Sequence, residues 1–440
     1  MKKSSRLAVL ALTCSISAPA VAADLQVLKA DDPTQDWKVV EYPGGKQATY
    51  TVGIGSAAFR APGDPADMIW TMSDRGPNFT CDDARDIMGE ASQAMCKGIK
   101  NSRFYPTPDY TPSIYHVQLD RQAGTFAVKD VIAIKTRSGK PVSGLINPQT
   151  AAITDQPIDL KGNKLPLDPD AVDSEGLVRL SDGTFWISEE MGPSIIHLTA
   201  DGRMVKRFVP ADAAGDYAKT DAEISATLPA ILSKRQPNRG TEALAVSPDG
   251  KFLYFMVQNP LANPDADVYK KARNTRIFKM DRATETLVGE YVYQLDDPMS
   301  FEADPSRKQN NPRVSEMSAL GPDRLLVLER TDKDTKLHEI ALDGATNILA
   351  TPWDDLATSP SLEQRNDLSG TDVKPVTKTL RYDSFKDGKG VPDKTEGVAF
   401  LGDGSMALIN DNDFGITGEV TRIAIVKGLV TPDPDVYSGK

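Results

Sequence analysis

Seven acidic residues recur at two places in a repeated sequence unit. Four glutamates stand near the start of successive units, and further acids stand where units end. The residues at these two places are Glu175, Glu242, Glu316, Glu396, Asp74, Glu189 and Asp411. Carboxylate oxygens are the ligands that hard cations prefer, and calcium takes about six to eight oxygen ligands. We therefore expect a calcium site formed by Glu175, Glu242, Glu316, Glu396 and Asp411, provided that the fold brings the units together.

The remaining acids and their basic neighbours suit hydrolysis. Asp74 or Glu189 could activate a water molecule, while Arg75 and Arg330 could stabilise developing negative charge. The alternative interpretation is architectural, with each glutamate accepting hydrogen bonds from the next repeat. The chain has three histidines and no Gly-x-Ser-x-Gly sequence. This composition excludes histidine phosphatases and the usual serine esterase elbow.

The repeated unit itself predicts the elements that must position these residues. Each unit is an apolar run, a turn such as Asp182-Gly183 or Asp249-Gly250, and a second apolar run. Alternating apolar residues around an Asp-Gly turn are typical of a β-hairpin. Repeated hairpins predict an all-β fold, a β-propeller of five to seven blades with six favoured, and long loop insertions.

Three segments outside the repeats carry their own predictions. Residues 77–112 form a long insertion that we expect to cap one face of the propeller. Residues 25–52 are expected to add an outer strand to the C-terminal blade and so close the ring. Residues 221–233 have apolar residues at helical spacing, which predicts a short amphipathic helix.

The N-terminal sequence predicts a signal peptide for export. Residues 1–23 have a basic start, an apolar centre and small residues at Ala22 and Ala23, where cleavage is expected. Residues 24–440 are then one propeller domain in the periplasm or outside the cell. No later segment is apolar enough to span a membrane. A net charge of −11 argues against nucleic-acid binding, and we expect a monomer.

Two cysteines remain beyond the predicted signal. Cys81 and Cys96 both lie within the insertion. Because exported proteins meet an oxidising environment, we expect a disulfide between them. Two buried free thiols are the alternative.

Several short sequences in order resemble one known family. They are SDRGPN, DSEGL, SEEMGPSI, RGTEALAVSPDG, VSEMSAL, LLVLER, KTEGVAFLGDG and INDNDFG. Together they resemble the phytase-like domain family, also described as having esterase-like activity of phytase, over residues 51–427. The resemblance implies an exported bacterial protein with a propeller-like fold, and the family name implies phosphoester hydrolysis.

The combined expectation is a calcium-assisted phosphoester hydrolase that acts on a small phosphate ester at the mouth of the propeller channel. Two alternatives stay open. One is a lactonase or carboxylic esterase on the same scaffold, and the other is a periplasmic binding propeller without catalytic activity.

Overall fold

The computed structural model describes residues 25–30, 36–90, 92–150, 153–388 and 390–437. The predicted signal, residues 1–23, therefore lies outside the described residues. Strands dominate the described part of the chain. In the first third of the chain they are β1 (Leu25–Ala30), β2 (Asp36–Glu41), β3 (Gln47–Thr51), β4 (Ala57–Phe59), β5 (Met68–Met72), β6 (Phe79–Thr80), β7 (Ser102–Phe104), β8 (Ser113–Asp120), β9 (Thr125–Ala133) and β10 (Gln156–Ile158).

The remaining strands follow the predicted repeats. They are β11 (Ser174–Arg179), β12 (Phe185–Glu189), β13 (Ser194–Leu198), β14 (Met204–Pro210), β15 (Glu223–Leu228), β16 (Thr241–Val246), β17 (Phe252–Val257), β18 (Asn274–Asp281), β19 (Thr286–Gln294), β20 (Arg313–Gly321), β21 (Arg324–Arg330), β22 (Thr335–Ala341), β23 (Thr377–Asp383), β24 (Thr395–Phe400), β25 (Met406–Asn410) and β26 (Arg422–Val426).

Helices are short and lie in the connections. The α-helices are α1 (Ala84–Met88), α2 (Ser92–Met95), α3 (Ala266–Tyr269) and α4 (Ser384–Asp387). The 3₁₀ helices are Ala214–Tyr217, Ala230–Lys234, Pro298–Ser300, Pro352–Asp354, Leu362–Gln364, Asp413–Gly415 and Pro434–Val436. No helix in the described residues has the length and apolarity needed to cross a bilayer.

In the described residues, four sheets form the five blades of a propeller, because blades V and I belong to one eight-stranded sheet that is joined through β1 and β9. Blade I is β4-β5-β8-β9, blade II is β11 to β15, blade III is β16 to β19, blade IV is β20 to β23, and blade V is β24-β25-β26-β1. The first strands contact one another in a ring, β4 to β11, β16, β20, β24 and back to β4. The all-β propeller is confirmed. Its five blades lie within the expected range, and the favoured count of six is one too many.

A separate apolar core between each pair of neighbouring blades holds the ring together. Blades II and III, for example, bury Trp186 and Phe208 against Phe255 and Phe278. Equivalent clusters join blades III and IV, IV and V, V and I, and I and II. Burying both faces of each sheet is the reason why the strands are apolar on both sides rather than strictly alternating.

The N-terminal strand closes the ring. In blade V, β1 pairs antiparallel with β26, and Leu25 lies opposite Val426. The other edge of β1 pairs with β9 of blade I. The outer strand predicted from residues 25–52 is therefore present.

The predicted helix over residues 221–233 is wrong. Residues Glu223–Leu228 form strand β15, which pairs in parallel with β14 at the edge of blade II, and Ala230–Lys234 is a 3₁₀ helix. Hydrogen bonding to an available sheet edge outweighs the helical spacing of four apolar residues.

The insertion forms a small unit of its own. Strands β6, β7 and β10 make one sheet, and their apolar side chains pack with those of hairpin β2–β3 and helix α1. The expected disulfide is present between Cys81 and Cys96 beside this cluster. Two insertion side chains, Asn78 and Arg103, reach the mouth of the channel.

Candidate functional site

One mouth of the channel is a cavity of about 220 Å³ whose lining residues are all polar or charged. Its acids are Asp74, Glu175, Glu190, Glu242, Asp332, Glu396, Asp411 and Asp413. Its bases are Arg75, Arg103, Arg239, Arg313, Arg330 and Lys394, and its amides are Asn78, Asn238 and Gln258. Five blades and the insertion therefore contribute to a single highly charged cavity.

Hairpin geometry explains why the acids meet. In an antiparallel hairpin the start of the first strand and the end of the second lie at the same end. Glu242 is near the start of β16, for example, while Asp74 and Asp411 directly follow β5 and β25. Repeating this arrangement around the ring brings both sets of acids to one mouth.

A backbone irregularity accompanies each of the repeated glutamates that line the cavity. The strand register shifts between Ser174 and Leu177, around Glu175, and between Thr241 and Ala243, around Glu242. The same shift occurs around Glu396. β-Bulges of this kind redirect a side chain relative to the regular alternation of the strand. In this propeller they occur in the first strands of blades II to V, including blade IV, where the register shifts between Val314 and Glu316 although Glu316 does not line the cavity.

Three of the carboxylates are close enough to share one cation. Oxygen atoms of Asp173, Glu175 and Glu190 all lie within 4.8 Å of one another, and all three residues are buried. Glu190 Oε1 and Glu242 Oε2 are buried without a hydrogen-bond partner among the described residues. An all-oxygen set with unsatisfied buried acceptors fits a hard divalent cation.

The pKa values of the cavity carboxyl groups reflect how closely these acids are packed. Burial, followed by the negative charges of Glu242 and Asp173, raises the pKa of Glu175 well above its ordinary value. Burial and the charge of Asp173 raise the pKa of Glu190 to about 7, although Arg239 and Arg75 oppose this shift. The pKa values of Glu242, Asp74 and Asp411 are raised for the same reasons, with burial as the largest cause. These carboxylates require a proton or a cation to coexist.

Most bases in the cavity are already paired with acids. Arg75 lies 3.1 Å from Asp173, and Arg330 forms a buried ion pair with Glu396. Three further pairs are Arg313 with Asp332, Lys394 with Asp413, and Arg103 with Asp155. These pairs hold the walls of the cavity in place.

The structure brings together most of the residues expected from the sequence. Of the proposed metal ligands, four line the cavity, namely Glu175, Glu242, Glu396 and Asp411. Of the proposed catalytic residues, three line it, namely Asp74, Arg75 and Arg330. Glu316 and Glu189 do not.

Glu316 lies buried outside the lining of the cavity. Its Oε1 accepts the backbone N–H of Met317 at 2.9 Å, and its Oε2 is buried without a hydrogen-bond partner among the described residues. Burial is the largest cause that raises the pKa of this carboxyl group well above its ordinary value. The expected role of Glu316 as a metal ligand stays a prediction.

Glu189 also lies outside the lining of the cavity. Its side chain has no solvent exposure and pairs with Arg207, with Oε2 to Nη2 at 2.7 Å. It also accepts hydrogen bonds from the Gly192 N–H and the Ser194 hydroxyl. A carboxylate that is fully bonded inside blade II cannot activate water in the channel.

Several cavity residues were missed by the sequence reasoning. Asp173 lies only two residues before Glu175, and this proximity was the available signal. Arg313 stands three residues before Glu316, as Arg239 stands before Glu242. Asn78 and Arg103 come from the insertion, where no repeat marks them.

A second group of possible ligands lies outside this cavity. Asp296, Glu329 and His338 are close together. Lys378, however, lies 2.6 Å from both carboxylates, so a lysine ammonium already supplies their positive charge. We assign no metal to this group.

Comparison with known proteins identifies the family of this chain. Residues 53–414 match the model of the Phytase-like family, described as esterase-like activity of phytase. The chain belongs to the Phytase-like family. The resemblance noted from the sequence is therefore confirmed.

One curated relative is a secreted protein from a fungus. An uncharacterized secreted protein of Arthroderma benhamiae is 32% identical over 177 residues, which is 36% of this Phytase-like chain and 34% of the relative. The match thus spans about a third of that relative's length.

Solved structures give only distant likenesses. A luciferin-regenerating enzyme matches at 11% identity and a TM-score of 0.34, over 88% of this chain and 96% of that chain. Regucalcin from Agrobacterium tumefaciens, a calcium-binding protein, matches at 11% identity and a TM-score of 0.32. The match covers 87% of this chain and 97% of that chain. A 6-phosphogluconolactonase-like protein of Bacteroides uniformis matches at 10% identity and a TM-score of 0.32. The match covers 94% of this chain and 98% of that chain. These values carry no argument about activity.

Proposed function

We propose that this chain is an exported, metal-assisted phosphoester hydrolase that acts on small phosphate esters in the polar cavity. The observation that supports this proposal most is the buried group Asp173, Glu175 and Glu190 beside arginines in a cavity that can admit a ligand. Family membership and the secreted relative agree with it.

The metal assigned to this group is calcium. Asp173, Glu175 and Glu190 would hold it, and the unsatisfied carboxyl oxygen of Glu242 lies in the same cavity. When bound, a divalent cation polarises a phosphoryl oxygen and neutralises charge in the transition state. The crowded carboxylates supply the negative charge that such an ion needs.

Asp74 is the residue that we assign to water activation. It lines the cavity, and its Oδ1 accepts the Gly76 N–H at 2.8 Å, which fixes the carboxyl group. Burial and the charge of Asp173 raise its pKa well above the ordinary value. A carboxylate with a raised pKa is a stronger base and accepts a proton from water more readily near neutral pH.

Arg75 and Arg330 are assigned to stabilising negative charge on the reacting group. Both are held in fixed orientation, Arg75 by Asp173 and Asn238, and Arg330 by Glu396 and the Ser315 hydroxyl. Preorganised cations of this kind stabilise charge that develops in the transition state.

A carboxylic ester or lactone hydrolase is the second candidate. It is favoured by one observation, since eight acids against six bases leave the lining with a formal excess of two negative charges. An uncharged ester would meet less repulsion there than a phosphate ester.

The test compares aryl phosphates with aryl carboxylates, using protein that has been chelated and then returned to calcium. We expect phosphate release that is lost on chelation and restored by calcium. In E175Q combined with E190Q, calcium binding measured by calorimetry and hydrolysis should both fall at least tenfold, whereas the surface variant D201N should match the unmodified protein.

Three results would change the assignment. Hydrolysis of carboxylates alone would favour the second candidate. Activity that survives chelation would remove the metal from the mechanism. Calcium binding without hydrolysis of any ester would indicate a binding propeller.

A further inference from the structure

Arg239 differs from the other bases of the polar cavity. Arg75, Arg103, Arg313, Arg330 and Lys394 each form an ion pair within 4.0 Å of an acid. Among the described residues, no such pair involves Arg239. It is therefore the cavity cation whose charge is left for a ligand.

The guanidinium of Arg239 is nonetheless held in place. One of its Nη atoms donates to the backbone carbonyl of Asn238, and the Tyr269 hydroxyl lies within hydrogen-bond reach. Its Nε–H is buried and has no acceptor among the described residues. A positioned guanidinium with an unused donor is suited to an oxyanion, which accepts hydrogen bonds from the fork of an arginine.

The charge of the lining limits how many oxyanion groups the cavity can accept. One divalent cation would cancel the formal excess of two negative charges. Arg239 is then the cavity cation that binds the substrate without first giving up an acid partner, while the paired Arg75 and Arg330 stabilise the charge that develops during the reaction. A substrate with several phosphate groups would place the others against Glu242 and Asp411, acids of the same lining that form no ion pair among the described residues. The negative charges of these acids and of the additional phosphate groups would repel one another.

We propose that the site accepts esters with a single phosphoryl group, that Arg239 is the residue that binds its oxyanion, and that polyphosphorylated rings are poor substrates despite the family name. This inference rests on the proposed function for its substrate class. The assignment of Arg239 also stands on binding alone, which can be measured without turnover.

The first experiment measures binding of inorganic phosphate to the calcium-loaded protein by calorimetry. R239Q should weaken phosphate binding at least tenfold, and R239K should recover part of the loss because it restores charge without the planar fork. R203Q, on the surface, is the matched control and should bind phosphate as the unmodified protein does. Calcium affinity should not fall in any of the three variants. Unchanged phosphate binding in R239Q would overturn the assignment.

The second experiment compares an aryl monophosphate, an aryl phosphodiester and inositol hexakisphosphate as substrates and as competitors of phosphate binding. We expect hydrolysis of the monoester or the diester, with a raised KM in R239Q, and weak competition by inositol hexakisphosphate. Tighter binding or faster hydrolysis of the hexakisphosphate would overturn the single-phosphoryl assignment. If no ester is hydrolysed but phosphate binding still depends on Arg239, the proposed function fails and the binding assignment stands.

Discussion

Arg207 and Glu189 form an ion pair in which neither side chain has solvent exposure. Such pairs are costly to desolvate, and they persist where further hydrogen bonds satisfy both groups. Arg207 supplies those bonds, because it also donates to Ser194 Oγ, the Ala171 carbonyl and Asn147 Oδ1. The pair thus fixes the segment that carries Asp173 and Glu190 into the cavity.

We expect E189A to lower the free energy of unfolding by about 3–5 kcal/mol, because it leaves the Arg207 charge buried and uncompensated. Urea denaturation followed by circular dichroism measures the change. D201A, which breaks the exposed pair with Arg203, is the control and should cost less than about 1 kcal/mol. A variant E189A that is as stable as D201A but inactive would return Glu189 to the list of catalytic candidates.

At the scale of elements, glycines allow the first strands to approach one another beside the cavity. A Cβ atom at Gly397 would lie 2.9 Å from the Ala57 carbonyl carbon and 3.0 Å from Ala58 Cβ. Gly176 is equally confined, since its Cβ would lie 2.6 Å from the Glu242 carbonyl oxygen. Each glycine directly follows a glutamate that lines the cavity. The contact between blades and the position of the ligands therefore depend on the same residues.

The substitution G397A should destabilise the protein by about 1–3 kcal/mol, because the added methyl group must displace backbone atoms of blade I. The same substitution should lower the rate of hydrolysis, since Glu396 moves with the strand and holds Arg330 in place. G215A is the matched control, because a Cβ at Gly215 meets nothing within 4 Å. Equal urea midpoints for G397A and G215A would contradict the tight contact between blades.

The sequence predicted the hairpins because Asp-Gly turns between apolar runs carry local information, and it predicted the closing strand because the last repeat lacked a partner. It did not separate Glu316 from the other repeated glutamates. Their sequence contexts are alike, although Glu316 lies outside the lining of the cavity. Arg103 reaches the cavity through an insertion whose position depends on packing with β2 and β3. No local pattern contains that information.

For the whole molecule, the buried acids link stability to pH. The folded pKa of Glu190 is about 7, raised by burial and by Asp173, whereas an unfolded glutamate titrates near 4.5. Between these values the folded state binds more protons than the unfolded state. The free energy of unfolding therefore decreases as pH rises through this window. Glu175, Glu242 and Asp411 shift in the same direction.

Chelated protein should consequently be more stable at pH 5 than at pH 8, which thermal unfolding at the two pH values will measure. Calcium at a hundred times its dissociation constant should add about 2.7 kcal/mol at pH 8. The variant E190Q should show a smaller dependence on pH. Stability that rises from pH 5 to pH 8 in the chelated protein would contradict the raised pKa values.

The pairing of β1 with β26 has a consequence for how the chain matures. Leu25 is among the first described residues to be synthesised, and its partner Val426 is among the last. Blade V cannot be completed until β26 has been synthesised, so the ring of blades stays open until then. Closure of the ring therefore requires strands from both ends of the described residues.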